Sequence, residues 1–451
     1  MKLVVLGGGE SGVGAAILGK RLGYDVWLSD KNGLTEKYRQ ILFDQGLAFE
    51  EGGHTEDRIL SADLVVKSPG IPDTIPLIQQ LRAQGTEVIS EIEFAGRHTD
   101  AKFICITGSN GKTTTTLLIY HILQQAGLDV GLAGNVGRSL AAQVAEQAHR
   151  IYVVELSSFQ LDGMFDFRAD VGILTNITPD HLDRYAYQFE NYVDSKFRIL
   201  NNMRAENLLI YQEDCEVVRE KMWSEKREPQ LAGFTYGTVK ESENSHIAAW
   251  MEGDELIACL HGKMFRIAKD QISIKGRHNV YNAMAAILAC LQLEVAPKEI
   301  AQALQSFPQV EHRLETVCTK NGITYINDSK ATNVDSAWYA LDSMTTPVVW
   351  IAGGTDKGND YSVLLDLVRK KVKVLICMGL DNQKLIANFS PYCLVVDTNS
   401  LAAAMQAVQD YAEPGDTVLL SPCCASFDLF KNYENRGELF KEAVKSLSQK
   451  K

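Results

Sequence analysis

Short apolar runs alternate with helical patterns along the whole chain. Up to about Gly96, the runs at 3–6, 26–28, 64–66 and 88–89 read as strands buried on both faces, separated by stretches of helical periodicity. Such alternation predicts a parallel sheet wrapped by helices. The pattern restarts near Lys102 with an apolar run at 103–106, a glycine loop and a helix from about Thr113 to Gln125 ended by Gly127; buried strands at 151–154 and 171–174 follow. This middle stretch extends to about Pro308. Its portion from Glu213 to Ile274 is less regular, with alternating segments such as 255–260 that suggest antiparallel strands, before an Ala-rich helix from about Asn279 to Leu291. A third alternation begins near Val310, with apolar runs at 324–326, 348–351, 374–376, 394–396 and 418–420.

Length fits that threefold pattern, since 451 residues correspond to about three domains at ~150 residues each. The formal charge of -12 excludes a protein whose main task is coating nucleic acid or anionic lipid. With 45% hydrophobic and 23% charged residues, the chain is neither disordered nor collagen-like. Nine scattered cysteines lack paired CxxC elements and read as reduced thiols of a cytoplasmic protein. The apolar run after Lys2 is too short for a signal-peptide core, and no apolar stretch is long enough to span a bilayer.

Candidate chemistry clusters after the strands. Gly7-Gly8-Gly9-Glu10-Ser11-Gly12 satisfies GxGxxG directly after the first strand, with Asp30 at the end of the next. Glycines let a backbone approach a diphosphate at a helix N-terminus, and an acid can accept from ribose or sugar hydroxyls. The motif leaves open a dinucleotide or a nucleotide sugar, or a tight turn without ligand. Thr107-Gly108-Ser109-Asn110-Gly111-Lys112-Thr113 lies between a strand and a helix, as a phosphate-cradling loop must. In that reading Lys112 neutralises the β/γ-phosphate oxygens and the Thr113 hydroxyl ligates Mg2+. Ile106 occupies the position of the first glycine in the longer GxxxxGK[ST] pattern, so the loop is a shortened one.

Glu155 ends a buried strand on the phosphate edge, placed like a Mg2+ carboxylate or, more simply, a helix cap. His181, in NITPDH, follows the next buried strand, where an isolated histidine is ordinarily structural. In a helix expected from Phe189 to Met203, Lys196 falls in the middle of the apolar face formed by Phe189, Tyr192, Val193, Ile199, Leu200 and Met203. The pattern by itself favours a stem packed on the core with its ammonium reaching water. The alternative is a buried neutral amine that reacts with carbon dioxide to give a carbamate, an oxygen ligand for Mg2+. In the third segment, three polar loops follow strands: 327–333, 353–358 and 421–427. Each alone is compatible with capping and turn chemistry, but three on one sheet edge favour a binding site.

The ordered set GxGxxG, GSNGKT, ELSSFQL, NITPDHLDRY, YVDSKFRI, GRHNVYN, HRLE, NDSKATN and SPCCASFDLFKNYENRG resembles the Mur ligases, ATP-dependent amide ligases of bacterial cell-wall assembly, over essentially the whole chain. Within them, NDSKATN and the final block resemble the branch that adds D-glutamate. The resemblance implies an α/β protein of three domains: a Rossmann-like domain at 1–97 for UDP-N-acetylmuramoyl-L-alanine, a central P-loop ATPase-type α/β domain at 98–308, and a Rossmann-like domain at 309–451 for D-glutamate. It implies ATP and two Mg2+ ions, an acyl-phosphate intermediate and a monomeric cytoplasmic enzyme, with no nucleic-acid or membrane partner.

By the same resemblance, Lys112, His181, Lys196 and Lys330 are catalytic. Gly108, Ser109, Asn110, Gly111, Lys112, Thr113, Thr114, Asn279, Asn282, Arg313 and Asp328 hold ATP. Glu10, Ser11, Asp30, Gly70, Asn135 and His181 face the UDP substrate, while Thr332, Lys357, Ser426, Phe427 and Tyr433 surround the amino acid. Thr113, Glu155, His181 and a carbamylated Lys196 are the implied metal ligands, which reverses the preference drawn from the helix pattern alone. Ser11 stands where a Thr is common in the uracil loop, and 213–274 matches no motif of the family. Competing classes are a nicotinamide-dependent oxidoreductase, which leaves GSNGKT unexplained, and a P-loop ATPase acting as a switch, whose hydrolysis would be indifferent to an amino acid.

Overall fold

A computed structural model describes residues 1–224, 228–237 and 246–447. Part of the irregular 213–274 stretch lies outside the described residues. Three sheets account for the three alternations. The first is entirely parallel, in the spatial order Ala48–Glu51, Asp25–Asp30, Lys2–Leu6, Leu64–Lys67, Glu87–Ile89. Its two faces carry separate apolar layers, Leu3 and Val5 on one and Val4 and Leu6 on the other, as the two-residue period of a strand requires.

The second sheet runs Lys263–Ala268, Glu255–Leu260, Ile247–Glu252, Gln230–Phe234, Leu208–Gln212, Val171–Leu174, Lys102–Thr107, Ile151–Glu155, Val130–Gly134. Its last six strands are parallel, and its first three pair antiparallel, as the alternation at 255–260 suggested. The helix after the glycine loop spans Lys112–Gln125, and the Ala-rich helix spans Arg277–Gln292. The expected helix from 189 to 203 is shorter: an α-helix over Phe189–Phe197 tightens into a 3-10 turn over Arg198–Leu200. There Arg198 donates to the carbonyls of Leu161 and Met164, and Asn202 takes a left-handed φ of 64° that no α-helix continues through.

The third sheet runs Glu315–Lys320, Ile323–Asn327, Thr417–Leu420, Val348–Ala352, Val372–Met378, Leu394–Thr398 and is parallel except for its first strand. Trp350 is fully buried on one face and donates its indole N–H to Ser421 O at 2.8 Å.

The chain forms two compact units, Met1–Ile272 with Tyr281–Ser306, and Ser273–Val280 with Phe307–Lys451. In the first unit, the parallel sheet at the N-terminus is joined to the larger sheet through Glu91. This carboxylate, at the start of the helix Glu91–Gly96, accepts from the Ser139 hydroxyl and the Ala141 amide, both at 2.6 Å, and so caps the helix Leu140–Glu146. Burial pushes its pKa up to about 6 against those bonds. Among the described residues no helix is long and apolar enough to cross a membrane, and all nine cysteines are free.

Candidate active site

Strand Lys102–Thr107 runs one residue past Ile106, so the phosphate loop proper is the four residues 108–111 before the helix begins at Lys112. This is why the outer glycine of the longer pattern is missing. Gly108 (φ 141°) lies so close to residues 175–176 that a Cβ would sit 2.0 Å from Thr175 Oγ1 and 2.8 Å from Asn176 O, and a Cβ on Gly111 (φ 83°) would meet Asn282 Oδ1 at 2.4 Å. Only glycine fits either position. The segment after strand Val171–Leu174 shapes the loop: Ser109 N donates to Asn176 O (2.8 Å), Asn110 N to Asn176 Oδ1 (2.9 Å) and Thr175 Oγ1 to Asn110 O (2.6 Å). The Lys112 ammonium lies across the loop, donating to the carbonyls of Gly108 and Ser109 at 2.8 Å each. Thr113 and Thr114 are buried, and Asn282 accepts from Thr115 Oγ1 at 3.2 Å.

Beside this loop sit two buried charges. Glu155 is 1% exposed; its Oε1 accepts from Asn135 Nδ2 at 2.8 Å, whereas Oε2 has no hydrogen-bond partner. A buried carboxylate oxygen without a donor is costly unless a cation or ligand meets it, so the donor set suits a divalent metal. Lys196 is 2% exposed and reaches Thr107 Oγ1 at 3.3 Å. Its ammonium does not snorkel to water, which overturns the reading from the helix pattern alone: both Lys196 and its neighbours Tyr192, Val193 and Phe197 are buried. Burial, then the charge of Lys112, hold its pKa well below the usual lysine value, with Asp180, Glu155 and Asp162 pulling the other way.

His181 is half-exposed in a left-handed conformation (φ 52°), its Nε2 3.7 Å from Asp180 Oδ2 and its ring edge-on to Phe159 at 5.3 Å. Arg184 covers the same Phe159 ring at 4.4 Å and donates to Gly70 O at 3.3 Å. Gly70 is thereby linked to the loop that carries His181.

In the N-terminal glycine loop, Asp30 accepts from Gly8 N at 2.6 Å and Asn32 N at 2.7 Å, so its carboxylate shapes the loop. Ser11 lies in the first turn of the helix Glu10–Arg21. Glu10 accepts from Tyr38 OH (3.0 Å) and Ser139 N (3.4 Å). Although burial raises its pKa, these bonds and Lys37 bring it below the ordinary value.

The second unit carries the three polar loops on adjacent strands, Ile323–Asn327, Thr417–Leu420 and Val348–Ala352. Thr355 N donates to Ala425 O at 2.8 Å and Ala425 N to Thr355 O at 3.2 Å, which joins two of the loops. The Lys330 ammonium stands 5.3 Å from the centre of the Tyr433 ring, while Thr332 makes a backbone bond to Lys330 O. Ser426 is buried, Lys357 is exposed, and Phe427 is 73% exposed. Asp328 accepts from Ser421 Oγ (2.8 Å) and Leu314 N (3.2 Å). Burial, partly offset by Arg313 and these bonds, pushes its pKa up to about 7. Arg313 is half-buried with Nε unpartnered. Asn279 donates to Lys275 O in the second unit, whereas Asn282 packs on the phosphate loop of the first.

Several contributing residues escaped the sequence reading. Thr175, Asn176 and Thr178 shape the phosphate loop, yet nothing in their spacing announces pairing with residues some 66 positions away. Arg436 had a usable signal: with Phe440 and Val444 it forms an i, i+4, i+8 face of the helix Tyr433–Ser446, a basic residue on an apolar stripe like Lys196. A cluster of Glu311, His312 and Glu438 has metal-like spacing, but Lys441 already pairs with Glu438 (2.9 Å), Glu311 (3.2 Å) and Glu315 (3.3 Å).

Comparison with known proteins gives this arrangement a family. Profiles described as the Mur ligase MurD-like N-terminal domain, the Mur ligase middle domain and the Mur ligase glutamate ligase domain match residues 1–90, 106–290 and 312–424. The chain is 52% identical over 448 residues to the UDP-N-acetylmuramoylalanine--D-glutamate ligase of Bacteroides fragilis, covering 99% of this chain and 100% of that protein. It is 50% identical over 447 residues to the protein of the same description from Porphyromonas gingivalis, with 99% and 98% covered. Two solved structures share the fold: a pseudomurein peptide ligase type C from Methanothermus fervidus (TM-score 0.62, 20% identity, 99% and 100% covered) and the UDP-N-acetylmuramate-alanine ligase of Thermotoga maritima (TM-score 0.61, 19% identity, 99% of each chain). With its sequence matched from end to end and its three sheets in the order of those domains, this chain belongs to the Mur ligase family.

Proposed function

We propose that this chain joins D-glutamate to the carboxylate of UDP-N-acetylmuramoyl-L-alanine with cleavage of ATP, in the cytoplasm, as a monomer, without nucleic-acid or membrane partners. The observation that carries the reading is the end-to-end identity of 52% with a relative of that description. The UDP substrate is assigned to residues 1–97, ATP to 98–308 and the amino acid to 309–451.

A carboxylate is a poor acyl donor. Its oxygen therefore attacks the γ-phosphorus, ADP leaves, and an acyl phosphate forms; the D-glutamate amine then attacks the acyl carbon and inorganic phosphate departs. The chain's residues bind, orient and neutralise. Lys112, with the amides of 108–111 and the hydroxyls of Thr113 and Thr114, receives the phosphates. Asn279, Asn282, Arg313 and Asp328 are assigned to the rest of the nucleotide. Glu10, Ser11, Asp30, Gly70, Asn135 and His181 face the UDP substrate; Lys330, Thr332, Lys357, Ser426, Phe427 and Tyr433 face the amino acid.

The unpartnered Glu155 oxygen fits a divalent cation, and Thr113, Glu155, His181 and Lys196 are the residues that would hold it. Bound Mg2+, two ions in this reading, supplies neutralisation of the phosphate charge. An amine ligates Mg2+ poorly, so Lys196 takes that role as a carbamate: its neutral nitrogen bonds to the carbon of carbon dioxide and releases a proton. Deep burial, which favours the neutral amine, supports this.

Phosphate release measured with each substrate omitted in turn tests the function. Release is expected only when ATP, UDP-N-acetylmuramoyl-L-alanine and D-glutamate are all present. Equal release with neither co-substrate would make the chain a plain ATPase and overturn the reading.

A further inference from the structure

Arg436 is the most deeply buried arginine of the described residues, 1% exposed, and its hydrogen bonds all go to neutral groups. Its guanidinium faces two loops. Nε donates to Ser329 Oγ (3.0 Å), Nη2 to Ser329 O (2.9 Å) and Cys424 O (3.2 Å), and Nη1 to Cys424 O (3.3 Å). Ser329 belongs to the loop after strand Ile323–Asn327, and Cys424 to the loop after Thr417–Leu420. The Ser329 hydroxyl passes the link on, donating to Tyr433 O at 2.8 Å. One planar fork thus spans the loop of Lys330 and Thr332, the loop of Ser426 and Phe427, and the start of the helix that carries Tyr433.

The adjoining glycine makes this approach possible. A Cβ on Gly437 would lie 2.2 Å from His312 Nδ1 and 3.1 Å from Asn327 Nδ2, so any side chain there would push the helix off the strand end. Cys424's carbonyl takes two donors from the same guanidinium, a geometry that a lysine's single ammonium cannot reproduce. Burying a charge whose hydrogen bonds all go to neutral carbonyls and a hydroxyl is costly: desolvation lowers the pKa of Arg436 to about 10, even with the nearby Asp428 and Asp328 charges opposing the shift. A leucine-sized apolar residue would fill a core position without that cost, so packing alone does not account for an arginine here.

We propose that Arg436 is a positioning residue for the incoming amino acid: its guanidinium sets the spacing of the 327–333 and 421–427 loops and thereby the alignment of the attacking amine. The inference rests on the ligase reading above and deepens it. Arg436 touches neither substrate; it acts through Ser329 and Cys424.

The test compares wild type with Arg436→Lys, Arg436→Met and Ser329→Ala in two assays. One is complete turnover with varied D-glutamate. The other is trapping of the acyl phosphate by hydroxylamine as hydroxamate, with ATP and the UDP substrate but no D-glutamate. A loosened amino-acid site raises the KM for D-glutamate by about tenfold or more in Arg436→Met, less in Arg436→Lys. Hydroxamate formation stays within about twofold of wild type. Ser329→Ala, which keeps the guanidinium-to-carbonyl bonds, gives a smaller rise in the same KM and decides the matter if both Arg436 variants fail to fold. An unchanged D-glutamate KM in the folded variants, or turnover and hydroxamate falling in parallel, overturns the positioning role. Absence of hydroxamate and of phosphate release from the wild type would instead overturn the ligase reading itself.

Discussion

The phosphate-loop edge of the first unit and the loop edge of the second solve opposite problems with buried charge. Beside the phosphate loop, Glu155 keeps one oxygen without any partner, and Lys196 reaches a single hydroxyl at 3.3 Å. On the second unit's edge, Arg436 makes four hydrogen bonds to two loops and both oxygens of Asp328 accept protein donors, although Arg313 Nε and Asp428 Oδ1 there stay without a partner. Unmet polar capacity costs stability unless something bound meets it. The first edge therefore keeps open the polar capacity that the phosphate and metal site proposed above requires, whereas Arg436 and Asp328 on the second spend their buried charge on holding loops in place. Binding and positioning are distinguishable by where hydrogen-bonding capacity remains open.

The strongest way to break that comparison is to remove charge from the open edge. Lys112→Ala is expected to lower phosphate release by ~10² or more, because the developing phosphate charge loses its cation. Steady-state phosphate assays check it, and retained turnover would place ATP elsewhere. Next in size, Lys196→Ala should lose most activity, with bicarbonate or short-chain carboxylic acids restoring part of it by supplying the missing oxygen ligand. A folded variant that no such acid rescues would count against the carbamate.

The smallest expected effect concerns Asp328, whose two oxygens are both satisfied. Its folded pKa, pushed up to about 7 from a reference of 3.8, means that between those values the folded chain holds a proton the unfolded chain has lost. Its contribution to stability is thus fully present below about 4 and is lost as pH rises through 7. Replacing it in Asp328→Asn should flatten that dependence, so the variant's melting temperature gains on wild type between pH 5 and pH 8. Parallel melting profiles for the two proteins would refute the sign.

Much of this was legible in the sequence because it is local. Runs of apolar residues at strand spacing placed the three sheets, a glycine loop directly after a strand located the candidate phosphate loop, and polar stretches after strands located the three loops of the second unit. The limits of local reading show at Lys196. Its helical neighbours indicated an inward-facing position, but packing alone decided that the ammonium does not reach water. The helix expected from 189 to 203 tightens into a 3-10 turn at Arg198, whose guanidinium pairs with carbonyls some 35 residues back in the chain, a contact invisible to periodicity.

By itself, then, the order of motifs determined the family and the fold class, since strand period, loop glycines and motif order are properties of neighbouring residues. Tertiary structure alone decided which charges are satisfied. That Asn135 leaves one Glu155 oxygen open, that Thr175 and Asn176 shape the phosphate loop, and that Arg436 joins two loops are outcomes of long-range contact. Burial and hydrogen-bond satisfaction depend on what lies nearby in space, and a linear pattern does not carry that information.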